Sequence, residues 1–263
     1  MTDFTTLELQ LDGAVARIWL NRPEMRNAID DVFIRELGAA FAEAEAAPGV
    51  RAVVLGGRGP AFCAGANLNW MKKAAEYTQE QNLKDAAGLP RMLRTLEQSR
   101  LPVIARIQGD VYAGGMGLVA VCDVAIAADT ANFCLSEVKI GLIPATISPY
   151  VIRAMGARAA QRYFLTAERF GATEAHRTGF VHEVVAADAL DAKVDEVLKN
   201  ITAAGPVAVQ ESKRLWRDVA GQPITEALSQ DTVGRIAALR ASEEGREGLR
   251  SFLEKRKPSW VTR

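Results

Sequence analysis

Hydrophobic and polar positions alternate through two opening segments, Phe4 to Leu11 and Ala14 to Leu20, which are separated by Asp12-Gly13. A period of two on either side of an Asp-Gly pair predicts a β-hairpin. Asn21-Arg22-Pro23 stops the second strand, and a loop runs on to Asn27. From Ile29 to Ala46 the apolar residues recur at steps of three and four (Ile29, Phe33, Leu37, Ala40, Ala44), so that stretch predicts a helix. Asp30 and Asp31 suit its positive end, and Pro48-Gly49 stops it.

Val50 to Leu55 is a short apolar run of strand type, and a loop with four glycines follows from Gly56 to Gly65. Leu68 to Ser99 is polar with helical spacing, which predicts one or two helices broken at Pro90. Leu101 to Ile107 reads as a strand, Gly114 to Cys122 as a buried helix and Asp123 to Ala127 as another strand. This repeated strand, turn, helix order predicts an α/β architecture with crossover connections. Strand signals disappear beyond about residue 200, where Pro206 to Val219, Ile224 to Leu239 and Glu243 to Lys257 all predict helices. The expected organisation is therefore a core over residues 1–200 and a helical region over 201–263.

Composition narrows the function classes. Of 263 residues, 49% are hydrophobic and 24% charged, which excludes a disordered or collagen-like chain. The 32 Lys and Arg balance 32 Asp and Glu, so the chain lacks the basic surface that coats nucleic acid, and any anionic ligand must meet local positive charge. No run approaches the roughly 18 to 20 apolar residues of a membrane span, and the opening MTDFTTLELQLDG does not read as a secretory signal. Cys63, Cys122 and Cys134 cannot all pair and form no C-x-x-C motif, so free, buried thiols and a cytoplasmic setting are expected. His176 and His182 are the only histidines and neither adjoins a Cys cluster. They read as packing or surface residues rather than metal ligands or triad members, and no metal site is expected.

Three segments carry the candidate chemistry: Phe62-Cys63-Ala64-Gly65-Ala66-Asn67-Leu68, Ala113-Gly114-Gly115-Met116-Gly117-Leu118, and Leu135-Ser136-Glu137-Val138-Lys139-Ile140-Gly141-Leu142-Ile143-Pro144. In the first two, small residues follow strands, where backbone N–H groups can approach a ligand closely and bind a developing oxyanion. The same residues serve equally well as tight packing turns, and Gly-Gly-x-Gly alone is a weak signal.

In this order and spacing the three segments resemble the crotonase family, the enoyl-CoA hydratases and isomerases. The resemblance extends to Asn21-Arg22-Pro23 with Asn27-Ala28, Cys122-Asp123, the Thr166-to-Gly179 stretch before Val181 and the Phe252-to-Pro258 tail, and so covers essentially the whole chain. It implies a core of repeated ββα turns forming a spiral, with a C-terminal all-helical part that builds homotrimers or, by pairing these, homohexamers. It also implies an acyl-CoA thioester as substrate, no cofactor beyond it, and the N–H groups of Ala66 and Gly114 as the donors that hold the thioester oxygen. Losing one donor of this kind costs about 3 to 4 kcal/mol. Many hydratases of the family use two glutamates. This chain retains one as Glu137 and has Gly117 where the other would stand, which leaves Glu137 as the acid/base.

The run Cys134 to Tyr150, with Ile147-Ser148-Pro149-Tyr150, and the run Asn67-Leu68-Asn69-Trp70-Met71 are similar to hydratases of leucine and acyclic-terpene breakdown. Those enzymes act on 3-methylglutaconyl-CoA or isohexenylglutaconyl-CoA. Asn67 replaces the more frequent aspartate. The resemblance further assigns Met25, Arg26, Ala28, Ala64, Leu68 and Gly115 to the CoA ester, and Phe252 and Lys255 to a CoA bound, often, by a neighbouring subunit. Lys255-Arg256-Lys257 also reads as a solvated helix end. Lys139 shares the face of Glu137 if that segment is extended, which would suit a second substrate carboxylate. Trp70 and Tyr77 read either as lining an acyl tunnel or as core aromatics, and Cys63 as buried packing. The expected activity is hydration of a branched 2-enoyl-CoA. Double-bond isomerisation through the single Glu137 is the alternative, and a non-catalytic CoA-binding subunit is a third reading.

Overall fold

A computed structural model describes residues 2–261. The chain runs β1 (Leu7–Asp12), β2 (Val15–Leu20), α1 (Asp31–Ala46), β3 (Ala52–Gly57), β4 (Ala61–Cys63), α2 (Leu68–Ala74), α3 (Gln79–Ala86) and α4 (Gly88–Gln98). There follow β5 (Val103–Ile107), β6 (Asp110–Tyr112), α5 (Gly114–Ala120), β7 (Val124–Ala128), β8 (Asn132–Cys134), α6 (Ser148–Met155), α7 (Ala157–Thr166) and β9 (Phe170–Gly171). The last elements are α8 (Ala172–Arg177), β10 (Glu183–Val185), α9 (Leu190–Ala203), α10 (Pro206–Val219), α11 (Glu226–Ala241) and α12 (Glu243–Leu253).

Six strands form one sheet in the order β1-β2-β3-β5-β7-β10, in which only the β1–β2 hairpin is antiparallel. A smaller sheet runs β4-β6-β8-β9, with β4, β6 and β8 parallel. Alternation along the strands separates two apolar layers. Ile18, Leu20, Val53, Leu55, Val103 and Ala105 face the main core with Phe33, Leu37 and Phe41 of α1. Ala52, Val54, Ile104 and Ile126 face the other way, onto Leu190, Val194 and Leu198 of α9. Burial on both faces is why the β3 and β5 runs read as continuously apolar rather than alternating.

The architecture is the expected α/β one with a helical C-terminal region, and it differs in detail from the sequence pattern. Leu68 to Ser99 holds three helices, not one or two, and Pro90 does not break the stretch. It occupies the first turn of α4, where its missing N–H would have had no acceptor. The expected glycine loop contains β4, and the other strands of the small sheet, β6, β8 and β9, span only three, three and two residues, too few to show a period. The division expected at 200/201 falls inside α9, which is packed on the sheet. The chain leaves the sheet at Ala204–Gly205. α10 is tied back to the core by Lys213, whose buried ammonium donates to Asp123 Oδ2 at 2.7 Å and to Leu101 O at 2.8 Å. α11 buries no residue in the single chain, and Ile224, Phe252 and Leu253 are exposed.

Candidate functional site

The three candidate segments lie at the C-terminal ends of three adjacent parallel strands of the small sheet. β4 runs into Gly65-Ala66, β6 into Ala113-Gly114 and β8 into Glu137. Register joins them: Cys63 pairs with Val111 and Tyr112 with Cys134, and Ala113 N donates to Cys134 O at 2.9 Å. In parallel sheets ligands bind outside such strand ends.

Gly65 turns with φ +92, and a Cβ there would stand 3.0 Å from the Ala113 Cβ, so the first two turns touch. Ile29 fixes the first of them, donating to Gly65 O and accepting from Asn67 N, both at 2.7 Å. In that parallel bridge the N–H of the intervening Ala66 points away from Ile29. Ile29 also reaches the second turn, its Cδ1 lying 2.9 Å from where a Gly114 Cβ would be. Neither the Ala66 nor the Gly114 N–H donates a hydrogen bond among the described residues. Unpartnered N–H groups are what stabilisation of an oxyanion needs.

Ala113 holds the second turn at φ 47, ψ −118, a backbone conformation that costs a residue with a Cβ roughly 1 to 3 kcal/mol. Ala113→Gly is expected to stabilise the fold by about 1 kcal/mol after the larger unfolded-state entropy of glycine is subtracted. Urea denaturation checks this, and a lower midpoint would show that the turn is unstrained.

Glu137 opens a 3-10 turn that runs to Ile140. Its Oε2 is buried with no hydrogen-bond partner, and burial raises the carboxyl above its ordinary range. A carboxyl raised in this way is suited to take up and return a proton. The turn also corrects the reading of Lys139. The segment is helical rather than extended, so residues two apart do not share a face, and Lys139 is exposed.

The loop before α1 is bound to β4. Arg26 O accepts from Ala64 N at 3.0 Å, and buried Asn27 donates to Arg58 O and Ala61 O at 3.0 and 2.9 Å. This places Met25, Arg26 and Ala28 beside Ala64 and the Gly65 turn. Leu68 follows as the exposed first residue of α2. Gly115 lets α5 approach β4, since a Cβ there would lie 2.7 Å from Cys63 O. Phe252 and Lys255, by contrast, stand at the end of α12, which packs on α10 and α11, and both face solvent.

Asn67 has a structural role the sequence did not suggest. Its Oδ1 caps α2 by accepting from Asn69 N at 2.8 Å, and its Nδ2 lies 3.4 Å from Asp30 Oδ2. Burial would raise the Asp30 carboxyl, but Arg22 at 2.6 Å and the Phe33 N–H hold it below its ordinary range, so it is anionic. An aspartate at 67 would set a second carboxylate against it. Arg169 was also missed, because nothing in the Thr166 to Gly179 run distinguishes it. It stands 3.8 Å from Asp110 Oδ1, while Arg26 stands 3.7 Å from Asp110 Oδ2.

Cys63 is fully buried and burial pushes its thiol up to about 12, which makes it an inert packing group. Cys122 is half-buried as a residue, but its Sγ donates to Leu118 O at 3.2 Å and burial pushes its thiol up as well. His182 Nδ1 accepts from Ala125 N at 2.9 Å, and His176 Nδ1 lies 3.3 Å from Val181 O, so both histidines are engaged by backbone. Trp70 and Tyr77 line one cavity of about 540 Å³ between α1 and α2–α4, where Trp70 Nε1 donates to Asp85 at 3.0 Å. No helix among the described residues is long and apolar enough to cross a membrane.

Fold and site together describe an α/β protein that gathers two unpartnered backbone N–H groups and one buried carboxyl at adjacent strand ends of its small sheet. Comparison with known proteins gives the family. A model of the enoyl-CoA hydratase/isomerase family matches residues 10–263, and the chain belongs to that family. It is 34% identical over 255 residues to a Thermus thermophilus protein provisionally named an enoyl-CoA hydratase, covering 94% of this chain and 97% of that one. It is 34% identical over 247 residues to the mevalonyl-coenzyme A hydratase sidH of Aspergillus fumigatus, covering 92% and 89%. The crystal structure of an enoyl-CoA hydratase from Shewanella pealeana superposes with a TM-score of 0.94 at 42% identity, over 98% of this chain and 96% of that one. The protein is thus an enzyme of the enoyl-CoA hydratase/isomerase kind, with a crotonase fold.

Proposed function

We propose that the protein hydrates a branched, methylglutaconyl-like 2-enoyl-CoA. The observation that carries this reading is the buried, unpartnered Glu137 carboxyl on the strand end next to the two free N–H groups. Ala66 and Gly114 N–H hold the thioester oxygen as enolate charge builds on it. Glu137 takes a proton from water as the water oxygen bonds to the β-carbon, and the electron pair of the double bond moves into the enolate. The same carboxyl then returns that proton to the α-carbon, so one water is added and Glu137 is regenerated. The coenzyme A ester is itself the substrate, and this chemistry calls for no further cofactor.

Arg26 meets the CoA phosphates, with Met25, Ala28, Ala64, Leu68 and Gly115 along the ester and Trp70 and Tyr77 beside the acyl chain. Phe252 and Lys255 serve a site on a neighbouring subunit of a homotrimer or homohexamer built through the helices beyond α9. The exposed Phe252, Leu253 and Ile224 support such an assembly. The branched substrate, and with it leucine or terpene breakdown, rests on the 134–150 and 67–71 runs, and a relative named for a branched acyl ester supports it. A cytoplasmic setting rests on the free cysteines. Gly117 favours a second reading, isomerisation, in which Glu137 carries one proton between two carbons.

A panel of acyl-CoA esters scored by mass spectrometry separates the two. Gain of one water on methylglutaconyl-CoA is expected, whereas conversion of a 3-enoyl to a 2-enoyl ester without mass gain would establish the isomerase.

A further inference from the structure

Gly117 lies on α5 and is closed in by its neighbours. A Cβ built there would stand 2.4 Å from Ile147 Cγ2, 3.0 Å from Ile147 Cβ and 3.3 Å from Leu93 Cδ1. Rotating Ile147 about χ1 would move its Cγ2 and leave its Cβ in place, so a rotamer change does not open the position. Nor is its backbone free to retreat. Ile147 O accepts from Tyr150 N and Val151 N, both at 3.1 Å, at the start of α6, and Val151 is fully buried. Ile147 and Leu93 are themselves 1% and 0% exposed.

Ile147 also ends the loop that Glu137 begins, and α6 packs on α5. One segment therefore supplies the carboxyl at its start and an aliphatic plug against α5 at its end.

We infer that Ile147 is a specificity-determining residue: by filling the volume into which a side chain at 117 would project, it excludes a second acid from α5 and confines proton transfer to Glu137. The inference rests on the reading of Glu137 as the acid/base. With a single carboxyl, the proton taken up must be the proton given back, on the same side of the substrate. The α5 side of the site remains dry and aliphatic. Esters whose turnover needs two separate acid/base groups are excluded by this wall, independently of how tightly their CoA part is held.

A double-mutant cycle tests it. Gly117→Ala is expected to lower the denaturation midpoint when Ile147 is present and to lower it clearly less when made in Ile147→Ala, where the 2.4 Å contact with Cγ2 is gone and the 3.0 Å contact with Cβ remains. In the Ile147→Ala background, Gly117→Glu is expected to raise hydration of straight-chain 2-enoyl-CoA about tenfold or more and to add a second ionisation to the pH–rate profile. With Ile147 intact, Gly117→Glu brings neither change. Additive stabilities, or the same gain from Gly117→Glu with Ile147 in place, would overturn the inference. So would a folded double variant that keeps the single ionisation. If the glutamate double variant does not fold, the alanine cycle still decides. Glu137→Gln in the same ester panel keeps the two claims apart, since its full activity would remove the acid/base reading and leave the steric coupling untouched.

Discussion

Glu137→Gln is expected to lower kcat/KM by about 10²- to 10⁴-fold while leaving the fold intact, the range over which a positioned general acid/base contributes. The amide is nearly isosteric and enters the same half-buried position, but it can neither accept a proton from water nor deliver one to carbon. The stability effect runs the other way. Burial raises the Glu137 pKa above the unfolded value, so the fold favours the protonated form. Below the unfolded pKa both states are protonated and there is no penalty. As pH rises above the unfolded value the penalty grows, and it is fully present once pH has passed the folded pKa and the carboxyl has ionised without a partner. Glu137→Gln should therefore denature at a higher midpoint than the parent at neutral pH, with the difference vanishing in acid. Activity of the parent should rise with pH through an apparent pKa above the ordinary carboxylate range. Turnover within tenfold of the parent would contradict the role given to Glu137.

The second large effect concerns how the helical region is held. Lys213 is 8% exposed, and its ammonium reaches Asp123 Oδ2 and Leu101 O across the junction between α10 and the sheet. Asp123 Oδ2 also accepts from Val103 N at 2.7 Å, so the carboxylate orders the start of β5. Lys213→Met leaves that carboxylate with one backbone donor and no counter-charge. Breaking a buried pair from one side costs about 3 to 5 kcal/mol, and the partial exposure of Asp123 puts this case at the lower end, about 3 kcal/mol. Replacing both partners with apolar residues should recover part of the loss, because no charge is then left unpaired. Urea denaturation of the single and double variants measures both effects, and a loss below about 1 kcal/mol for Lys213→Met would place the pair with weak surface bridges.

The hairpin and α1 were legible in the sequence because each is long enough to show its period, and their cores follow the spacing directly. The small sheet was not. Its strands are two and three residues long, below the length at which alternation can be recognised, and yet they bring Ala66, Gly114 and Glu137 to one edge. These three positions came from resemblance, and pattern alone left the glycine turns as possible packing turns. Lys139 was misplaced because a run of mixed residues gives no sign of a 3-10 turn. Ile147 against Gly117 lay beyond any local reading, since the contact joins residues 30 apart and depends on α6 crossing α5. Asn67 was noticed as a departure, but its reason, the anionic Asp30 beside it, is visible only in three dimensions.

The most direct test of Glu137 as the proton carrier for water addition follows the water itself. Methylglutaconyl-CoA is incubated in heavy-oxygen water with the parent and with Glu137→Gln, and the ester products are weighed. The parent should give a 3-hydroxy ester bearing one heavy oxygen, and Glu137→Gln almost none. No label in the parent's product, or equal labelling by both proteins, would contradict the mechanism.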